Sequence, residues 1–236
     1  MNQPLKPVKG IFFDLGWTLL YPPSGDWMFS FFARRYFSEE TLSALPPERV
    51  RAALAAGNAY LNSHHRLDTL EEEYDKFFHY YSLLAQALPE LGLEQKELEA
   101  ITQDKVYNLE NYALFPDSLN TLNALGNNYR IGVISDTWPS IVPVLERFGL
   151  LPYFHTLTFS YKLGVYKPHP AMYQDALDKL GIPPEETIFI DDGVENLRGA
   201  QKAGIQPVLI TAKPNAEKRP EGMAEIGKIS GLLDLL

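Results

Sequence analysis

Two spacings of apolar residues divide this chain. Near the start and through the second half, short apolar runs stop on polar or acidic residues, as strands buried on both faces of a parallel sheet do. Gly10-Ile11-Phe12-Phe13 runs into Asp14 and then turns sharply through Leu15-Gly16-Trp17-Thr18. Residues 130–134 run into Ser135-Asp136-Thr137, 156–160 into a loop over 161–170 rich in breakers, and 187–190 into Asp191-Asp192-Gly193. Residues 205–210 make a fifth strand. Helical spacing occupies 118–125, 138–148, 171–180, 194–203 and 229–236, with Pro143 interrupting the second of these. Helices alternating with strands imply parallel pairing, right-handed crossovers and loops gathered at one edge. The predicted fold class is α/β, a Rossmann-like parallel sheet flanked by helices.

From residue 23 to 112 the spacing changes. Tyr21-Pro22-Pro23-Ser24-Gly25-Asp26 is dense in turn formers and marks the exit from one layer. Pro46-Pro47-Glu48 signals a helix start ahead of a helix over 50–61, and 67–88 continues in the same manner. Trp27, Phe29, Phe31, Phe32 and Tyr36 mark an apolar face, while Tyr74, Phe77, Phe78 and Tyr81 recur at helical spacing. Their expected role is helix-on-helix packing rather than a ligand platform. His64 and His65 are expected on a solvated surface, pointing in different directions on a helix. The expected division is a core domain of 1–22 and 113–236 with an inserted all-helical cap domain over 23–112.

Composition narrows the function class. Of 236 residues, 45% are hydrophobic and 22% charged, enough for a sizeable core. The net charge of −9 and the lack of a basic run argue against nucleic acid and anionic membranes as partners. No cysteine is present, which removes disulfides, thiolate metal sites and a cysteine nucleophile. The first residues lack the apolar core of a signal peptide, and no apolar run has the length of a membrane span, so the expected location is the cytoplasm. Oligomeric state is left open.

The strand ends then supply the chemistry. Asp14, Ser135 with Asp136, Lys167 in its loop, and Asp191 with Asp192 all fall at one predicted edge. Carboxylates without thiol or imidazole suit a hard cation such as Mg²⁺, which takes oxygen ligands and phosphate oxygens. A small phosphorylated metabolite is the corresponding substrate. Asp14 would attack phosphorus, water would hydrolyse the aspartyl phosphate, and Ser135 and Lys167 would bind the remaining phosphate oxygens and position Asp14.

Phe13-Asp14-Leu15-Gly16-Trp17-Thr18-Leu19, Val133-Ile134-Ser135-Asp136, Lys167-Pro168-His169-Pro170 and Phe189-Ile190-Asp191-Asp192-Gly193-Val194-Glu195-Asn196 resemble, in order, the four motifs of the haloacid dehalogenase-like hydrolase superfamily. The helical insert sits where that family places its cap. The resemblance implies Asp14 as nucleophile, Ser135 and Lys167 on phosphate, and Mg²⁺ held by Asp14, Asp192 and the backbone carbonyl of Gly16, with Asp191 close behind. The first motif departs from the pattern. Phosphatases of the family normally carry a second Asp, a general acid/base, where this chain has Gly16, and a Gly where it has Trp17.

A carbonyl survives the change to Gly16, so metal binding need not be lost. Proton delivery to the leaving alcohol is normally worth about 10²- to 10⁴-fold. A good leaving group, or an acid from Asp136, the cap or water, would lessen that penalty. The alternatives to an Mg²⁺-dependent phosphatase are a catalytically impaired phospholigand-binding or regulatory protein, a dehalogenase, and a phosphonatase-type hydrolase using a cap lysine such as Lys76. Asp191-Asp192 counts against the dehalogenase, because dehalogenases of the family generally lack those acids.

Overall fold

The computed structural model describes residues 5–236. They form two units, one of the chain up to Tyr21 with Leu114–Thr137 and Leu145–Leu236, the other of Pro22–Ala113 with Trp138–Val144. The first unit is built on a six-stranded sheet of β1 (Gly10–Phe13), β2 (Arg130–Ser135), β3 (Thr156–Phe159), β4 (Thr187–Asp191), β5 (Gln206–Ile210) and β6 (Ala224–Ile226). Its order is β3-β2-β1-β4-β5-β6, with every pairing parallel. Ile11, Phe12, Phe13, Val133, Ile134, Ile188, Phe189 and Ile190 are fully buried, which is why these runs are uninterrupted rather than alternating.

Register decides where chemistry collects. Phe13 lies opposite both Val133 and Ile190, Ser135 opposite Phe159, and Asp191 opposite Leu209. The strands therefore finish nearly level, and the residues that follow them emerge at one edge.

The helical unit contains α1 (Pro47–Ser63), α2 (Leu70–Ala87) and α3 (Gln95–Tyr107). Pro47 takes the first helical position of α1, where its missing N–H costs nothing. A capping box between Thr69 and Glu72 starts α2. Phe77, Tyr80, Tyr81 and Leu84 bury the inner face of α2 in one cluster with Leu61 and Ile101, so the aromatic stripe is packing. Gly57 permits the close approach of α1 and α2, because a Cβ there would fall 2.6 Å from the Tyr80 ring.

Two expectations fail in this unit. The stretch after Trp27 is not a helix face: it holds one short 3-10 turn, Ala33–Arg35, and Phe31 is 66% exposed. Asp26 Oδ1 accepts the N–H groups of Met28 and Phe29 at 2.7 and 3.1 Å, a side-chain turn that competes with helix formation. His65 is not on a solvated surface but 2% exposed, set edge-on to Trp138 at 4.6 Å between ring centroids. The helix ends at Ser63, so His65 lies beyond it and turns inward, whereas His64 stays exposed.

Residues 138–144 group with the helices, although the sequence places all of 113–236 with the sheet. Glu73, fully buried on α2, accepts the Ser140 N–H at 2.6 Å and the Ser140 hydroxyl at 2.7 Å.

The remaining helices are α4 (Ser118–Gly126), α5 (Ile141–Arg147), α6 (Pro170–Leu180) and α7 (Val194–Lys202), α5 being divided between the two units at Val144. The helix expected from 138 begins only at Ile141, which places Pro143 in its first turn, where a helix has no use for the N–H. The closing helix expected over 229–236 is reduced to a 3-10 turn, Ile229–Gly231, and the four-residue helix Leu232–Leu235. Strand β6 has no counterpart in the sequence reading, since three residues are too few for a period to declare itself. Among the described residues, no helix is long and apolar enough to cross a membrane.

Candidate active site

Asp14 follows β1 directly, and its N–H donates to Ile190 O of β4 at 2.9 Å. The strand pairing thereby sets Asp14 beside Asp191, two carboxylates in a nearly closed space: Asp14 is 6% exposed and Asp191 fully buried. Such a pair needs a cation. Lys167 supplies it, its Nζ donating to Asp14 Oδ1 at 2.8 Å, to Asp191 Oδ2 at 2.6 Å and to Ile134 O at 3.3 Å.

The loop that carries Lys167 is held from below. Asp136 Oδ1 accepts the Lys167 N–H at 2.9 Å, so this acid positions the lysine backbone and is not simply a second carboxylate at the strand end. Asp191 is fixed as well. Its Oδ1 accepts the Gly193 N–H at 2.7 Å, and Asn196 Nδ2 donates to Oδ1 and Oδ2 at 3.1 and 3.2 Å. Glycine leaves room at 193, where a Cβ would press on Asp191 Oδ1 and Asn196 Nδ2 at 3.1 Å. Ser135 ends β2, 2% exposed.

The turn after Asp14 is tight. Leu15 O accepts the N–H groups of Thr18, Leu19 and Leu20, and the Trp17 N–H donates to Leu20 O at 2.7 Å. Trp17 has φ 56°, in the left-handed region where a side chain is disfavoured, whereas Gly16 does not have positive φ. The glycine and the strained position are therefore adjacent but not the same residue. Thr18 Oγ1 is buried here without a hydrogen-bond partner.

Two residues of the site have no role assigned from the sequence. Asn196, the last residue of the fourth motif and in the first turn of α7, is the anchor of Asp191. Lys213 follows β5 by three residues, and its Nζ lies 2.6 Å from Asp192 Oδ2. An apolar parallel strand ending at Ile210 predicts that the next few residues reach the same edge, and that signal was available in the chain.

Charge at this edge is unbalanced. Among the described residues, Asp14, Asp136, Asp191 and Asp192 face two ammonium groups, Lys167 and Lys213. Burial pushes the Asp14 carboxyl up to about 7; Lys167 opposes the shift, and Asp191 and Asp192 add to it. Burial likewise raises Asp136 and Asp192, against Lys167 and Lys213 respectively. For Lys167 burial works against the charge, but Asp14, Asp191 and Asp136 outweigh it and keep the ammonium firmly protonated.

A divalent cation fits this deficit of two positive charges. The Asp14 and Asp192 carboxylates are the oxygen donors this edge could offer it. No cage of three or more His, Cys, Asp or Glu side chains exists among the described residues. Two carboxylates lie within the one or two that Mg²⁺ commonly uses, the rest of its shell being water.

The chain is similar to known proteins over most of its length. The family model for haloacid dehalogenase-like hydrolases matches residues 8–204. Glyceraldehyde 3-phosphate phosphatase of Methanothermobacter thermautotrophicus is 26% identical over 97% of this chain and 100% of its own length. Pyrimidine 5'-nucleotidase YjjG of Escherichia coli is 31% identical, over 51% of this chain and 54% of that protein. Among solved structures, 2-haloacid dehalogenase from Pseudomonas syringae pv. Tomato superposes with a TM-score of 0.63 at 22% identity, 97% of each chain being covered.

Proposed function

Because the chain belongs to the haloacid dehalogenase-like hydrolases, we propose that it is an Mg²⁺-dependent phosphatase of a small phosphorylated metabolite, with Asp14 as nucleophile. The observation that carries this reading is Lys167 bridging Asp14 and Asp191 beside a second acid, Asp192. An Asp14 oxygen bonds to phosphorus as the bond from phosphorus to the leaving oxygen breaks, and that oxygen keeps the electron pair and takes a proton from water. A water oxygen then bonds to phosphorus, the bond to Asp14 breaks, and inorganic phosphate and the free carboxylate are released.

Lys167 holds Asp14 in place and, with Ser135, offers donors to the phosphate oxygens. Asp14, Asp192 and the Gly16 carbonyl would hold Mg²⁺, which when bound supplies charge neutralisation for the incoming dianion. Asp191, locked by Lys167, Gly193 and Asn196, positions the lysine. Asp136 is likewise tied to the Lys167 backbone, so the proton for the leaving group is assigned to water.

The fold also serves dehalogenases, as the Pseudomonas syringae enzyme illustrates. Retention of both Asp191 and Asp192, together with relatives that are phosphatases by name, favours phosphate. The test is phosphate release from a panel of phosphorylated metabolites by wild type and Asp14→Asn, with and without Mg²⁺, alongside halide release from 2-haloacids. Phosphate release that needs both Asp14 and Mg²⁺ is expected. Metal-independent halide release, or phosphate release that survives Asp14→Asn, overturns the reading.

A further inference from the structure

One charged group at the site is not used by the proposed reaction. Lys213 Nζ contacts Asp192 Oδ2 at 2.6 Å, with the two side chains 22% and 15% exposed. Lys167, by contrast, has a side chain only 2% exposed and makes three bonds. One ammonium is sealed into the site and the other stands at its rim.

The rim position gives Lys213 somewhere to go. Strand β5 is fixed at its end by the Thr211 N–H donating to Ile226 O at 3.0 Å, so the backbone approaching Lys213 is anchored. Beyond that anchor, a flexible four-carbon stem carries a strongly hydrated charge that loses little on moving into water. Asp192 has no such freedom, being set just past β4 next to the locked Asp191.

An ammonium and a divalent cation compete for one carboxylate. Both cannot sit on Asp192 at contact distance without strong mutual repulsion. We propose that Lys213 is a tethered counter-ion of Asp192 that a divalent cation must displace, so that Lys213 lowers the metal affinity of the site. It thereby sets the metal concentration at which the site fills. The inference rests on the reading of Asp192 as a metal ligand.

The test is a direct Mn²⁺ titration of the full chain without substrate, by calorimetry and by the loss of free-ion EPR signal, for wild type, Lys213→Met, Lys213→Gln and Asp192→Asn. Circular dichroism confirms that each variant is folded, and either lysine variant suffices if the other is not. Removing a partly exposed charge-assisted contact should tighten Mn²⁺ binding about tenfold, while Asp192→Asn should weaken it. If the lysine variants bind within twofold of wild type, or more weakly, while Asp192→Asn still loses metal, the counter-ion proposal falls and the metal-ligand reading stands. If Asp192→Asn binds as tightly as wild type, both fall.

Discussion

Lys167 Nζ donates to Asp14 Oδ1 at 2.8 Å across 153 positions of sequence, with both side chains almost closed to solvent. Parallel register explains how so distant a pair meets: β1 delivers Asp14 to the strand edge, and Asp136 at the end of β2 pins the Lys167 backbone over it.

Lys167→Met should therefore harm folding as well as turnover. It leaves Asp14 and Asp191 as neighbouring buried carboxylates without a cation, and breaking a buried pair from one side costs about 3–5 kcal/mol. Urea unfolding of the metal-free protein should show that loss, and phosphatase activity should fall at least ~100-fold. A variant as stable as wild type would show that these acids are neutralised by other means.

Gly16→Asp should restore proton delivery. Gly16 does not occupy a positive-φ conformation, so no backbone reason bars a side chain there. Turnover of alkyl phosphates should rise by about 10²-fold or more, and that of aryl phosphates, whose leaving groups need little protonation, much less. The comparison to measure is the ratio of kcat/KM between the two substrate types. Equal gains for both would mean that missing acid catalysis is not what limits the wild-type chain.

How far the residues announced this structure depends on the range of the interaction. The central strands were legible because Ile11, Phe13, Val133 and Ile190 leave no alternative to burial on both faces, and a parallel sheet then fixes where Asp14 and Asp191 must emerge. That Lys167 positions Asp14 is legible from their shared edge, but its second bond to Asp191 and the anchoring by Asp136 and Asn196 are not, because they depend on side-chain reach across loops that no period describes. Lys213 is different, because the end of β5 at Ile210 already assigns the next few residues to that edge. In the helical unit, Asp26 overrode helical spacing after Trp27 through a purely local side-chain turn.

Glu73 and Ser140 offer a test in that unit. Burial raises the Glu73 carboxyl, opposed by Lys105 and by the two Ser140 donors. Glu73→Ala should strand those donors and the Lys105 charge, lowering stability by about 3 kcal/mol. Glu73→Gln, which keeps an acceptor for Ser140, should cost less. Unfolding followed by tryptophan fluorescence separates the two, and equal losses would show that the carbonyl contact contributes nothing.

His65 links the same unit to pH. Burial against Trp138 lowers its imidazole to about 4, from an ordinary 6.5. Below pH 6.5 the unfolded chain takes up a proton at this position, while the folded chain refuses it down to about 4. Protons bound by the unfolded state exceed those bound by the folded state across that window, so stability falls as pH drops through it. A shift of this size corresponds to roughly 3 kcal/mol at full development. NMR of the five histidines should find one resonance that stays neutral to about pH 4 and disappears in His65→Met. The same variant should flatten the loss of stability between pH 6.5 and 4. Five histidines all titrating near 6.5 would refute the burial argument, whatever the unfolding curves show.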